Sequence, residues 1–209
     1  MNKRIKISII IVVIILILGI IGLVIFRPTL ELNKAVEDLK YGNYKEAYEY
    51  IQNKNNEENK IIIKELTTNI FCDKASSGIE KVSNIVTEST KVMKKINREN
   101  IDYTLDDNIN IDVEALDAYI AIEEKISKDM ISEELAETYE LYFNILKFVR
   151  ENFYDILNHI NDDEFINEVN NLATDMTKIS NACYSYADNH NFNPKATDLY
   201  QEIKQYIIN

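Results

Sequence analysis

The sequence predicts an all-α protein: an N-terminal transmembrane helix, then a helical hairpin, then an antiparallel bundle of long helices. Three observations carry that reading. The chain has 209 residues but only four Gly and two Pro, too few turn residues for an all-β fold. Residues 7–26 contain no charge. Beyond them, apolar residues recur in alternating steps of three and four, the spacing that lines one face of a helix.

The uncharged run, Ile7 to Phe26, reads ISIIIVVIILILGIIGLVIF, with only Ser8, Gly19 and Gly22 departing from large apolar side chains. At ~1.5 Å per residue its length matches one crossing of a ~30 Å hydrocarbon core. A cleavable signal has a shorter apolar core, ~7–15 residues, and ends in a small-x-small site. Here the run ends in Phe26-Arg27-Pro28, and no cysteine lies nearby to accept a lipid. Lys3, Arg4 and Lys6 crowd the N-terminal flank, so the positive-inside rule keeps that end in the cytoplasm and sends residues 28–209 outside. The expected organisation is a cytoplasmic tail (1–6), a signal anchor (7–26), a hairpin (28–57) and an acidic helical bundle (58–209).

Four of the 23 basic residues precede residue 28, where there is no acid; the remainder sets 19 basic against 35 acidic residues, a net charge of −16. Such a surface repels phosphate backbones, argues against nucleic acid as a partner and disfavours lying flat on anionic lipid.

Pro28 fits the first turn of a helix, followed by Leu32, Val36 and Leu39 on one face. Gly42-Asn43 ends it, and Tyr44, Ala47, Tyr48 and Ile51 make a second short stripe. The polar tract 53–59 is a loop or a helix start. A long helix over about 58–97 comes next, with the seam Cys72, Ala75, Ile79, Val82, Val86, Ser89, Met93, Ile96; Gly78 marks a bend or break in it. Asp112 reads as the cap of a helix over about 113–128. Ser132 reads as the cap of another helix running to about Ile160, with the seam Leu135, Tyr139, Tyr142, Leu146, Val149, Phe153, Ile156 and Ile160. The next helix carries Phe165, Val169, Leu172, Met176, Ile179, Cys183 and Tyr186, and Asn193-Pro194 opens the last one, with Leu199, Ile203, Tyr206 and Ile207 as its apolar residues.

Within residues 35–51, AVEDLKYGNYKEAYEYI, Gly42, Tyr44 and Ala47 match a G-x-Y-x-x-A pattern. This segment resembles the turn and second helix of a tetratricopeptide repeat, a family whose arrays bind peptides and proteins. Glu31 stands where that family carries a large aromatic, and no second copy appears at its period. The resemblance implies a helical hairpin with Gly in the turn and Tyr and Ala between the helices.

Chemistry finds little purchase. Asp106, Asn108, Asn110, Asp112, Glu114 and Asp117 alternate like calcium ligands, but Ile111 occupies the sixth position, where that loop needs Gly, and Asp117 replaces the closing Glu. The two histidines, His159 and His190, lack metal spacing; His159 closes a helix, and His190 reads as solvated within YADNHNFNP. The pairs Glu123-Glu124, Glu133-Glu134 and Asp162-Asp163 diverge by ~100° on a helix and suit solvated positions. No catalytic, cofactor-binding or metal-ligating residue is assigned. Tyr139, Tyr142, Tyr154, Tyr184, Tyr186 and Tyr200 could line an interaction surface, though several fall on seams. Cys72 and Cys183 also fall on seams and read as buried free thiols, with a disulfide as the alternative. The function expected is therefore a non-enzymatic, membrane-anchored interaction or scaffold protein outside the cytoplasm, its partner another protein. The alternative is a ligand sensor similar to the extracytoplasmic four-helix domains of chemoreceptors.

Overall fold

The computed structural model describes residues 3–99, 125–153 and 163–207, of which the side chains of 3–14, 16–20, 23, 25, 88–99, 153, 163 and 164 lie outside the description. The fold is all-helical, with no strand among the described residues. Its helices are α1 (Lys3–Lys40), α2 (Tyr44–Gln52), α3 (Glu57–Glu99), α4 (Ala136–Phe153), α5 (Asp163–Asn189) and α6 (Pro194–Ile207). Short 3-10 turns, Lys128–Met130 and Glu133–Leu135, lead into α4. Among the described residues no helix is long and apolar enough to cross a membrane. Most side chains of the run 7–26 lie outside that description.

Pro28 does not open a new helix, contrary to expectation. It lies inside α1, which is continuous from Lys3 to Lys40. A proline there has no N–H for the Val24 carbonyl, a cost of ~3 kcal/mol in a helix interior. Burial just downstream offsets it: Leu32, Ala35, Val36 and Leu39 are all buried. Asn59 Nδ2 also donates to the Pro28 carbonyl at 2.8 Å, fastening the proline turn to the start of α3. The boundary drawn between anchor and hairpin is thus no boundary in the backbone.

α1 stops in a Schellman turn. Gly42 N–H donates to Leu39 O (3.0 Å) and Asn43 N–H to Asp38 O (2.9 Å), with Gly42 at φ +74°, where a Cβ would be strained. Tyr44 and Ala47 then bury on α2. Asn56 caps α3, its Oδ1 accepting from Asn59 N–H at 2.9 Å. The tract 53–59 is therefore a loop leading into a helix start, and a single hydrophobic core continues across it from Leu32 to Ile203.

Gly78 is neither bend nor break. It lies within α3, buried, and a Cβ there would overlap the Tyr142 hydroxyl and come within 2.9 Å of its Cζ. The missing side chain admits a ring from α4. Gly78→Ala gains ~1 kcal/mol of helix propensity but overpacks by ~1–3 kcal/mol. We expect a net loss of ~1–2 kcal/mol in urea unfolding of the full chain in detergent, and a smaller loss in a Tyr142→Phe background. An unchanged midpoint would show that α3 and α4 part easily here.

Contacts between helices also set their directions. Thr68 accepts from Ser132 N–H at 2.9 Å, and ten residues on Gly78 meets Tyr142, so α3 and α4 run parallel. The expected antiparallel pairing holds instead for α3 with α5, since Cys72 pairs with Cys183 while Glu65 lies against His190. Phe148 and Phe165, with ring centroids 6.0 Å apart, place the start of α5 beside the end of α4. The seam residues Leu135, Tyr142, Leu146, Val149, Phe165, Leu172, Ile179 and Tyr186 are all buried, as their spacing predicts. The helix expected over 113–128 falls outside the described residues up to 124, and residues 125–128 form a turn and the start of a 3-10 segment.

The cysteines overturn an expectation. Cys72 and Cys183 are bonded, with Cα atoms 5.5 Å apart across 111 positions of sequence. Two seams that each bury a small residue at the same height bring the sulfurs together. Separate periodicities cannot show that.

Candidate functional site

The described residue with the least ordinary environment is Glu65, a carboxylate only 6% exposed on α3. Burying it unpaired would be costly. Its Oε2 accepts the Asn193 N–H at 2.9 Å, the amide of the residue that caps α6. Asn193 in turn accepts from Lys195 N–H through Oδ1 at 2.9 Å, with Pro194 in the first turn as its sequence predicts. The other carboxylate oxygen, Oε1, lies 3.4 Å from His190 Nε2.

His190 is the residue that sequence reasoning misplaced. Instead of sitting in water, it closes α5 through its N–H to Tyr186 O (3.0 Å) and turns its ring inward. The ring stacks on Tyr186 at 4.6 Å and meets Phe192 edge-on at 4.7 Å. Its Nδ1 is 3.8 Å from Glu134 Oε1, so when protonated the imidazolium bridges two carboxylates. The signal in the sequence was the aromatic spacing Tyr186, His190, Phe192 around a helix end. The glutamates it meets are more than fifty positions away, and local pattern cannot pair them.

The floor is built from α3 and the turns before α4. Thr67 Oγ1 is within reach of the carbonyls of Ile63, Lys64 and Met130, and Thr68 Oγ1 donates to Lys64 O at 2.7 Å. Ser132 caps its turn as expected, its Oγ accepting from Glu134 N–H at 3.4 Å. Together Ile61, Lys64, Glu65, Glu133, Glu134 and Tyr186 line a cleft of about 340 Å³ beside His190. An acidic rim with an aromatic wall suits a cationic group held by charge and ring face. The Ser132 hydroxyl that lines it is engaged in its cap. Among the described residues no cluster of three or more His, Cys, Asp or Glu side chains could hold a metal ion. The calcium-like stretch 106–117, His159, Glu123-Glu124 and Asp162 lie outside the described residues.

Of the six tyrosines considered for an interaction surface, Tyr142 and Tyr186 are core, Tyr139 and Tyr200 are half-buried, and Tyr184 is exposed; Tyr154 lies outside the described residues. Two further tyrosines, Tyr41 and Tyr206, are exposed on either side of Lys40, whose Nζ lies 5.6 Å from the Tyr206 ring. Burial pushes the Tyr44 and Tyr186 hydroxyls up to about 12. Burial, with the Asp73 carboxylate that accepts its proton, pushes Tyr200 higher still.

These raised values tie stability to pH. An unfolded tyrosine loses its proton near pH 10, whereas in the fold these three hold theirs to about 12 or beyond. Their contribution is thus fully present below pH 10 and is lost as pH climbs through the folded values. The urea midpoint should be flat to about pH 9.5 and fall steeply between pH 10 and 12. Absorbance at 295 nm should show part of the tyrosinate appearing only on unfolding. A smooth single titration near pH 10, with the fold intact, would contradict it.

Comparison with protein-family models, with curated proteins and with solved structures finds no match to this chain.

Proposed function

We propose that the chain is a membrane-anchored helical interaction or scaffold module held outside the cytoplasm, non-enzymatic, with another protein rather than nucleic acid as its partner. The observation that carries this reading is the continuity of α1. The uncharged run Ile7–Phe26 occupies the first part of the same helix whose later turns, Leu32 to Leu39, are core. The disulfide supports the outside placement, because disulfides persist in oxidising compartments and are rare in the cytosol. The tetratricopeptide-like hairpin supports a binding role, with Gly42 in the turn and Tyr44 and Ala47 buried. Exposed Tyr41 and Tyr206 around Lys40 have the composition of an interface anchor.

The test is crosslinking on intact membranes and then pull-down, comparing wild type with Tyr41→Ser/Tyr206→Ser. One specific crosslinked protein lost in the variant supports the reading; identical crosslinks in both remove this face from it. Added protease should degrade residues 28–209 on wall-less cells, and full protection would reverse the orientation. The cleft beside His190 favours a second reading, a sensor of a small cationic ligand. A thermal-shift screen with small amines at neutral pH, repeated on Glu65→Gln, tests it.

A further inference from the structure

We infer that the base of the domain carries a site for the phosphate of an anionic lipid headgroup, formed where α1 meets the loop between α2 and α3. The inference rests on the membrane reading above and deepens it. Residues 24–31 of α1 and Asn53–Asn56 enclose a cleft of about 310 Å³. Along a helix rising ~1.5 Å per residue, Val24 to Glu31 covers ~10 Å, starting at the last turn of the uncharged run. The polar layer outside a ~30 Å hydrocarbon core is ~5–8 Å thick on each side. The cleft therefore lies at headgroup depth. The loop is held at that level because Asn59 Nδ2 bonds the Pro28 carbonyl at 2.8 Å.

The charge at this level runs against the rest of the domain. Arg27 lines the cleft with its side chain 73% exposed, its Nε donating to Glu31 at 2.8 Å while the outer edge of the guanidinium faces solvent. Lys54 lines it from the loop. Lys34 and Lys54 both sit over the Tyr50 ring, at 4.2 and 4.3 Å from its centroid. Two cations, Arg27 and Lys54, and one carboxylate, Glu31, thus line a cleft at the base of a domain whose net charge is −16, with Lys34 sharing the Tyr50 ring with Lys54. Asn53, Asn55 and Asn56 line the same space; Asn53 Nδ2 donates to Glu49 O at 2.9 Å and Asn56 Oδ1 accepts from Asn59 N–H, and the amide hydrogens these bonds do not use add donor capacity. A guanidinium edge, an ammonium group and amide donors suit a phosphate oxygen fork. Tyr50 is of a type that settles at the membrane interface.

The experiment uses the full chain in vesicles, read by amide hydrogen exchange over residues 53–57. In vesicles of phosphatidylglycerol and phosphatidylcholine at about one to two, exchange should be about fivefold to twenty-fivefold slower than in phosphatidylcholine alone, about fivefold for each of the two lining cations engaged. The difference should vanish in Arg27→Gln/Lys54→Gln, survive in Arg27→Lys/Lys54→Arg, and survive in Lys147→Gln, a distant surface change. Equal exchange in the two vesicle types overturns the site. Equal slowing in phosphatidylcholine on adding inorganic phosphate assigns the cleft to free phosphate and overturns the lipid. Release of the chain by carbonate washing overturns the anchor itself, a failure distinguishable from the cleft's.

Discussion

Reducing the disulfide, or replacing it with Cys72→Ser/Cys183→Ser, should cost the fold ~4–5 kcal/mol. The bond joins residues 111 apart, and in the chain-entropy account a cross-link over so long a loop removes that much freedom from the unfolded chain. The native side contributes as well, because the bridge pins the middle of α3 to α5 and Cys183 is 6% exposed. For a domain of this size 1 kcal/mol shifts the melting temperature by ~2–4 °C, so the variant should melt ~10–20 °C below wild type. Non-reducing peptide mapping of protein from the cell surface should return one linked peptide containing Cys72 and Cys183. Two alkylatable thiols in native protein, or a melting temperature unmoved by reductant, would sink both the bond and its support for an oxidising compartment.

Leu146→Asp should be comparably severe. Leu146 is 1% exposed on α4, so the change removes a buried side chain, at ~2–5 kcal/mol for the lost packing alone, and sets a carboxylate into an apolar core. Total stabilities lie at ~5–15 kcal/mol, so this single change takes a large share of what holds the fold. Helical circular dichroism should lose its cooperative transition, or show it far below that of wild type. Asn144→Asp, an exposed position two residues away on the same helix, should change little and serves as the control. If both variants melt alike, the Leu135–Val149 face is not turned to a core.

Legible in the amino acids was whatever a single element decides alone. The seams of α4 and α5 were legible because burial obeys the helical period, and Ser132 and Asn193-Pro194 because a cap is a contact over two or three residues. The expectations that failed all depended on a partner distant in sequence. Gly78 looked like a weak point in a helix, yet its lack of a side chain is filled by Tyr142 from another helix. His190 looked solvated because Glu65 is 125 positions away. Pro28 looked like a helix start, the position where proline costs least; burial beyond it and Asn59 beside it let the helix carry on. The cleft beside His190 was invisible for the same reason, since it exists only where α3, α5 and the turn before α4 converge.

On the membrane reading proposed above, the unbroken α1 would key the domain to its anchor in azimuth as well as height. Each residue of an α-helix turns the chain by about 100° and lifts it ~1.5 Å. With no joint between Phe26 and Leu32, rotation of residues 7–26 about the helix axis would be handed undiminished to the hairpin packed on Leu32, Ala35 and Leu39. One residue inserted after Phe26 would swing the Tyr41 and Tyr206 face about a quarter turn or slightly more, while hardly changing its distance from the bilayer. Inserting two full turns, about seven residues, would bring it back to within ~20°. Two neighbours anchored in this way in one bilayer would therefore meet through faces chosen by the count of residues in α1, much as gear teeth mesh only at certain angles of their shafts.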